Sequence, residues 1–226
     1  MQKSSYHKTI LILFLVAISS AAFSQSFEGR LVFKMEVMNP NPKLIPDSSW
    51  QKITIKQFGE RGYAIQKYFY KNDKYISEIE TAKGKGFQAY NPKDKLLYSW
   101  QMNSDTAITI DSRKYMDELV EVIDGTDTET ILGIPCKTIT FKSKLGQTKV
   151  WYNSDYLRLD PKLFKEHKYG NWAQTLDKIK CLPLKIEQKG FMTHVIQTVI
   201  EFKAEPVNDS QFALPKFSFV MASPIN

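Results

Sequence analysis

The side chains best suited to chemistry at neutral pH are few. Beyond residue 24, histidine occurs only at His167 and His194, and the only two cysteines are Cys136 and Cys181. Histidine is the usual base and metal ligand near neutrality. However, no HExxH is present, and neither histidine has a second one at ligand spacing. His167 follows Glu166 in a polar stretch and is expected on the surface. His194 opens an apolar run, where Glu187 could join it, but no spacing specifies such a site. The absence of GxSxG removes a nucleophile elbow. The absence of CxxC removes a thioredoxin-like centre and a zinc ribbon. An even cysteine pair in an oxidising compartment is expected to form a disulfide, Cys136–Cys181, and closing a loop of that length contributes roughly 4 kcal/mol in the chain-entropy model.

Three further letter patterns fail on context. Gly84-Lys85-Gly86-Phe87-Gln88-Ala89 spells GxGxxA, but a dinucleotide loop must open a helix, and β-rich aromatic sequence follows; a plain turn is expected. Residues 124–129 alternate oxygen ligands in the manner of a calcium loop, but Pro135 stands where the bidentate Glu is needed, so an acidic surface turn is expected. Asn208-Asp209-Ser210 is a formal sequon and reads as a turn. No catalytic residue, metal site or cofactor emerges, and the expected function is non-catalytic.

The elements that must carry any site begin after a leader. Residues 1–9 hold Lys3 and Lys8 and no acid, residues 10–18 are unbroken apolar, and Ala22 and Ser24 stand at −3 and −1 of a cut before Gln25. These are the parts of a secretory signal peptide over 1–24, and nine apolar residues are too few to span a bilayer, which takes about 20. The expected location is therefore periplasmic or secreted, with one β-rich domain over 25–226 and no membrane-spanning segment. Without the leader the basic residues number 29 against 24 acidic, net +5, and only four are Arg. Lysines spread among acids form solvated strand faces rather than a phosphate-reading surface, so no nucleic-acid partner is expected. At 42% hydrophobic and 13% aromatic, the chain has ample material for a core.

Period-two alternation dominates from residue 27 onwards. Leu31, Phe33, Met35 and Val37 alternate with Arg30, Lys34 and Glu36, the pattern of a half-buried strand. Ile53 and Ile55 read the same way. Residues 63–70 are rich in aromatics suited to a pleated surface. Lys71-Asn72-Asp73-Lys74 and Asn91-Pro92-Lys93-Asp94-Lys95 are turns between strands. Two stretches read as helix: 115–123, from the spacing of Met116, Leu119, Val120 and Ile123, and 163–180, split near Gly170-Asn171. About ten short strands predict a mainly β (α+β) fold, a strongly curved or nearly closed antiparallel sheet. Such a half-barrel turns alternate residues inward, where an unfilled interior becomes an apolar ligand cavity. Phe33 and Met35 are the expected lining from the first strand, followed by Tyr98 and Trp100, which share one face of theirs.

The second half carries a resemblance. Ile131-Leu132-Gly133-Ile134-Pro135-Cys136-Lys137 precedes a strand, and Lys149-Val150-Trp151-Tyr152 stands before an acidic turn at Asp155. Leu182-Pro183-Leu184-Lys185-Ile186-Glu187 follows a helix, and Glu205-Pro206-Val207-Asn208 through Leu214-Pro215 closes the order. This order resembles the secreted DUF4412 proteins and the related GLPGLI family, within the LolA-like superfamily of lipoprotein and lipid carriers. Cys181-Leu182-Pro183-Leu184 lacks both glycines of the GLPGLI pattern, which favours the DUF4412-like branch. The resemblance implies a curved antiparallel half-barrel with a helix over its concave face, enclosing space for acyl chains, and no catalytic residue. The expected function is a periplasmic carrier of a lipid or lipoprotein acyl chain. The alternative is a cell-envelope interaction module, with a filled core and a protein partner.

Overall fold

The computed structural model describes residues 26–224; the expected signal peptide lies outside them. Twelve strands form one sheet: β1 (Gly29–Val37), β2 (Ala64–Lys71), β3 (Lys74–Thr81), β4 (Gly84–Asn91), β5 (Leu96–Gln101), β6 (Thr106–Asp111), β7 (Leu119–Ile131), β8 (Ile134–Ser143), β9 (Gly146–Tyr152), β10 (Lys185–Gly190), β11 (His194–Ala204) and β12 (Phe219–Ala222). Their order is β12-β6-β5-β4-β3-β2-β1-β11-β10-β9-β8-β7. The sheet is curved and unclosed, with β12 and β7 at its edges. Every pairing is antiparallel except β12 with β6, where the chain returns parallel.

Tight hairpins set the register. Asn72 takes φ 51° in the β2–β3 turn and Lys95 φ 64° in the β4–β5 turn. Tyr70 therefore faces Tyr75, Tyr75 faces Tyr90, and Tyr90 faces Leu97. Because side chains alternate faces and paired residues share one, Tyr70, Tyr75, Tyr90 and Leu97 form a row on the same face as Leu31 and Phe33. That concave face is covered by residues 157–184. Here Asp160 caps a 3₁₀ turn (Pro161–Phe164) by accepting from Lys162 N. A second turn (Tyr169–Asn171) bends at Gly170, φ 63°. The short helix α2 (Trp172–Ile179) follows. Phe164, Leu176 and Leu182 are at most 1% exposed and pack on the aromatic row. The cover is pinned by backbone bonds from Lys168 N and Tyr169 N to Ser112 O, at 2.7 and 3.0 Å, and from Leu184 N to Trp151 O at 2.9 Å.

Three expectations about local structure are corrected. Ile53 and Ile55 belong to a helix, α1 (Asp47–Phe58), and are about half exposed. Start and stop signals outweigh the short alternation there: Asp47 sits in the first turn, and Gly59, φ 76°, closes the end by donating its N–H to Ile55 O. The helical spacing over 115–123 is overridden by pairing, since β7 runs antiparallel to β8 from Leu119 to Ile131. The acidic stretch 124–129 is part of that strand, which shifts register between Asp124 and Thr128. Gly125 lies against Thr138 there; a Cβ would come within 2.0 Å of Thr138 Oγ1. The GxGxxA letters, expected as a plain turn, lie inside β4 with the turn just before them at 82–83, and open no helix.

Candidate functional site

Between the concave face and its cover lies a cavity of about 160 Å³. Leu31 and Phe33 from β1, Tyr68 and Tyr70 from β2, Tyr75 from β3 and Leu97 from β5 form its floor. His167, Tyr169, Gly170, Trp172, Leu182 and Pro183 form its roof, and Gln88, Ile186, Gln188 and Gln197 complete the wall. The floor aromatics brace each other: Phe33 meets Tyr68 edge-on at 5.6 Å, Tyr68 stacks on Tyr70 at 5.8 Å, and Tyr70 lies 5.5 Å from Tyr75. Such contacts give the floor fixed shape beyond mere burial. A larger groove, about 530 Å³, runs between Pro92 and Phe212, where the Lys74–Asp209 ion pair sits, with Asp73 and Lys93 also on its wall; it lies away from the 157–184 cover.

Several polar groups in this cavity are tied to the sheet. Gln197 Nε2 donates to Gln66 Oε1 at 2.7 Å, and Gln66 Nε2 donates to Tyr68 Oη at 2.8 Å. Tyr75 Oη lies 2.9 Å from His167 Nε2, joining floor to roof. Burial pushes His167 down to about 4, so its ring is neutral at pH 7 and shares a hydrogen bond with the Tyr75 hydroxyl. The backbone carbonyls of His167 and Tyr169 offset part of that shift, although Nδ1 completes no hydrogen bond of good geometry. Burial also holds Tyr70 and Tyr75 well above the ordinary phenol value and pushes Tyr68 up to about 12. Around these buried groups the floor and roof disfavour charge of either sign.

The expected lining residues divide. Phe33 is in the floor, 4% exposed. Met35 shares its face of β1 but is half-buried and lies outside the cavity lining. Tyr98 and Trp100 point to the opposite face, which they share with Ala89 and Phe87 across the β4 ladder. They pack beneath the C-terminal segment, with Phe217 5.6 Å from Trp100 and Phe87 stacked on Trp100 at 5.4 Å. Leu97, their neighbour, faces the cavity instead. Both faces of β5 are covered, so both are apolar, and alternation alone does not say which cover encloses space. His167, expected on the surface, is 2% exposed. The hairpin turns were the signal for the floor, since counting outward from them aligns Tyr70, Tyr75, Tyr90 and Leu97.

The expected disulfide is also corrected: Cys136 and Cys181 are free, buried thiols. Cys136 Sγ lies 3.4 Å from Ile134 O on its own strand and belongs to the main core, while Cys181 packs with Ile179 in a second cluster over β8 and β9. Burial pushes the Cys181 thiol up to about 12, and nearby Cys136 adds to the shift. At the far end of β10, His194 Nε2 and Glu187 Oε1 are 2.9 Å apart, with Lys189 Nζ on the same carboxylate at 2.7 Å. This is an ion cluster: among the described residues no three His, Cys, Asp or Glu side chains gather to hold a metal. No helix among the described residues is long and apolar enough to cross a membrane.

Comparison with known proteins places the fold. No family model matches the chain, and no curated protein matches it in sequence. Among solved structures, an uncharacterized conserved protein from Thermus thermophilus aligns over 88% of this chain and 91% of its own, with 9% identity and a TM-score of 0.50. PNGF-II aligns over 88% of this chain at 12% identity and a TM-score of 0.46, and the chain spans about a third of PNGF-II, 32%. LprF from Mycobacterium bovis aligns over 84% of this chain and 90% of its own, at 8% identity and a TM-score of 0.34. At these identities the likeness to the Thermus protein is one of fold: a mostly β chain built on a curved, open sheet.

Proposed function

We propose that this chain is a non-catalytic, periplasmic binding protein for an apolar ligand, an acyl segment or lipid held between the concave face and the 157–184 cover. The observation that carries the reading is the cavity between sheet and cover, walled by Leu31, Phe33, Tyr68, Tyr70 and Leu97 and open on one side at the exposed Gln188. Apolar area leaving water there supplies about 25 cal/mol per Å². A dry cavity of about 150 Å³ holds one benzene, so the volume of about 160 Å³ fits one ring or a short acyl segment, and a longer chain enters only if the cover lifts. The sequence resemblance to LolA-like carriers supports the same reading, and the leader-like segment 1–24 supports export with cleavage near Ser24/Gln25. The modest volume supports a second reading, an envelope interaction module whose interior is mostly filled by its own side chains.

The discriminating experiment is mass spectrometry of organic extracts from natively purified protein, followed by titration with a fluorescent fatty-acid probe. A co-purifying apolar molecule and saturable probe binding are expected for the carrier. Phe33→Asp places a charge in the floor and is expected to abolish binding, with circular dichroism as the check on folding. A folded Phe33→Asp protein that binds like the parent removes this cavity as the site. Failure of the parent to bind any apolar probe favours the interaction module.

A further inference from the structure

Among the described residues, the cavity wall carries no Lys, Arg, Asp or Glu. Its polar groups are carboxamides, phenols, one indole and one imidazole. The carboxamides are only partly used: Gln197 donates once to Gln66, and Gln88 Nε2 donates to Ser99 Oγ at 3.3 Å. A carboxamide offers two N–H donors and two acceptor sites, so each keeps capacity. More telling is Trp172 in the roof. Its indole N–H is buried and has no hydrogen-bond partner among the described residues. A buried donor left unpaired is costly and calls for an acceptor.

We propose that the cavity selects uncharged ligands that carry a carbonyl acceptor on a short apolar body, such as an ester, amide or ketone, and rejects carboxylates and ammonium ions of the same shape. This rests on the reading that the cavity binds apolar ligands, and it names their class. A carbonyl oxygen needs one donor, and the Trp172 N–H, buried and without a partner among the described residues, supplies it. A carboxylate brings a full charge into a site with no cation on its wall, where desolvation is uncompensated. An ammonium ion meets the same penalty, with no carboxylate to receive it. The neutral state of His167 and the raised Tyr68 phenol express the same preference from the protein's own groups. The volume of about 160 Å³ sets the scale of the probes.

The test is calorimetric titration of the full chain at pH 7.5 with methyl benzoate, benzoate, benzylammonium and toluene. Methyl benzoate is expected to bind at least tenfold more tightly than benzoate or benzylammonium. Trp172→Phe keeps a ring and removes the N–H; it is expected to weaken methyl benzoate about fivefold more than toluene, the toluene value reporting what the smaller ring alone does to the cavity. A preference for the ester below tenfold overturns the proposal while leaving an apolar site in place. Equal loss of ester and toluene binding in Trp172→Phe overturns the role given to the indole. Binding of none of the four overturns both this proposal and the apolar-site reading.

Discussion

Tyr98 and Leu97 are neighbours in sequence with different roles, because a strand sends successive side chains to opposite faces. Leu97, 1% exposed, floors the cavity, whereas Trp100, 9% exposed, supports the C-terminal segment on the far side. Trp100→Ala is therefore expected to lower stability by about 3–4 kcal/mol and to leave probe affinity unchanged once folded protein is counted. Chemical denaturation and probe titration of one preparation separate the two effects. The cysteines make a second residue-scale prediction. Both are buried free thiols, and Cys181 is held up to about 12, so little reactive thiolate is present at pH 8. Native protein is expected to resist iodoacetamide and to take two labels once denatured without reductant. No label on the denatured, unreduced protein would show that the pair is bridged after all.

At the scale of elements, β1 is the strand on which both halves of the sheet meet, pairing with β2 on one side and β11 on the other. Gly29 opens it at φ 152°, where a Cβ would stand 2.1 Å from Lys203 O. The obstacle is backbone, so the strand pair would have to part. Gly29→Ala is expected to cost about 3 kcal/mol. Gly62→Ala is the comparison: its φ is 71°, but nothing lies within 4 Å of the new Cβ, so only backbone strain of about 1 kcal/mol applies. Urea denaturation of both variants decides whether close approach or dihedral strain dominates. The cover shows how sequence builds a lid from short pieces. Asp160 starts one turn, Gly170 and Asn171 in the left-handed region redirect the chain, and Lys180, φ 56°, stops α2. Polar backbone exposed by these bends finds partners at Ser112 and Trp151, which ties cover to sheet.

For the whole molecule, the burial of the His167 ring makes folding pH-dependent. His167 is near 4 when folded and about 6.5 when unfolded. Above pH 6.5 both states are neutral and the group contributes no slope. Between 6.5 and 4 the unfolded chain binds the proton and the folded one does not, so stability falls as pH falls. From pH 7 to pH 5 the loss is expected to be about 2 kcal/mol. His167→Gln is expected to flatten this part of the profile, measured by denaturation midpoints at both pH values. Asp111, Asp177 and Asp209 are lowered by their cationic partners. Each therefore stabilises the fold above its unfolded value, and that part is lost only at still lower pH. A profile equally steep with and without His167 would contradict the burial of a neutral ring.

Much of this architecture is written locally. Alternation from Leu31 to Val37 marks β1 as a strand with one apolar face. Asn72 and the residues around Asn91 and Asp94 specify two hairpins whose register aligns the tyrosine row, and Gly170-Asn171 breaks the cover where the structure bends. These are short-range consequences of side-chain period and turn stereochemistry, so sequence alone determines them. The non-local outcomes belong to tertiary structure. Residues 115–123 carry helical spacing, but from Leu119 onward strand pairing with β8 takes over the backbone. The face holding Trp100 is apolar because Phe212, Leu214 and Phe217 return from far along the chain to cover it. His167 sits in a polar stretch and is buried because the bend at Gly170 folds its turn onto Tyr75. Which apolar face encloses space, and which donor there is left unpaired, depends on how a sheet and its two covers meet, and no local pattern encodes that distance.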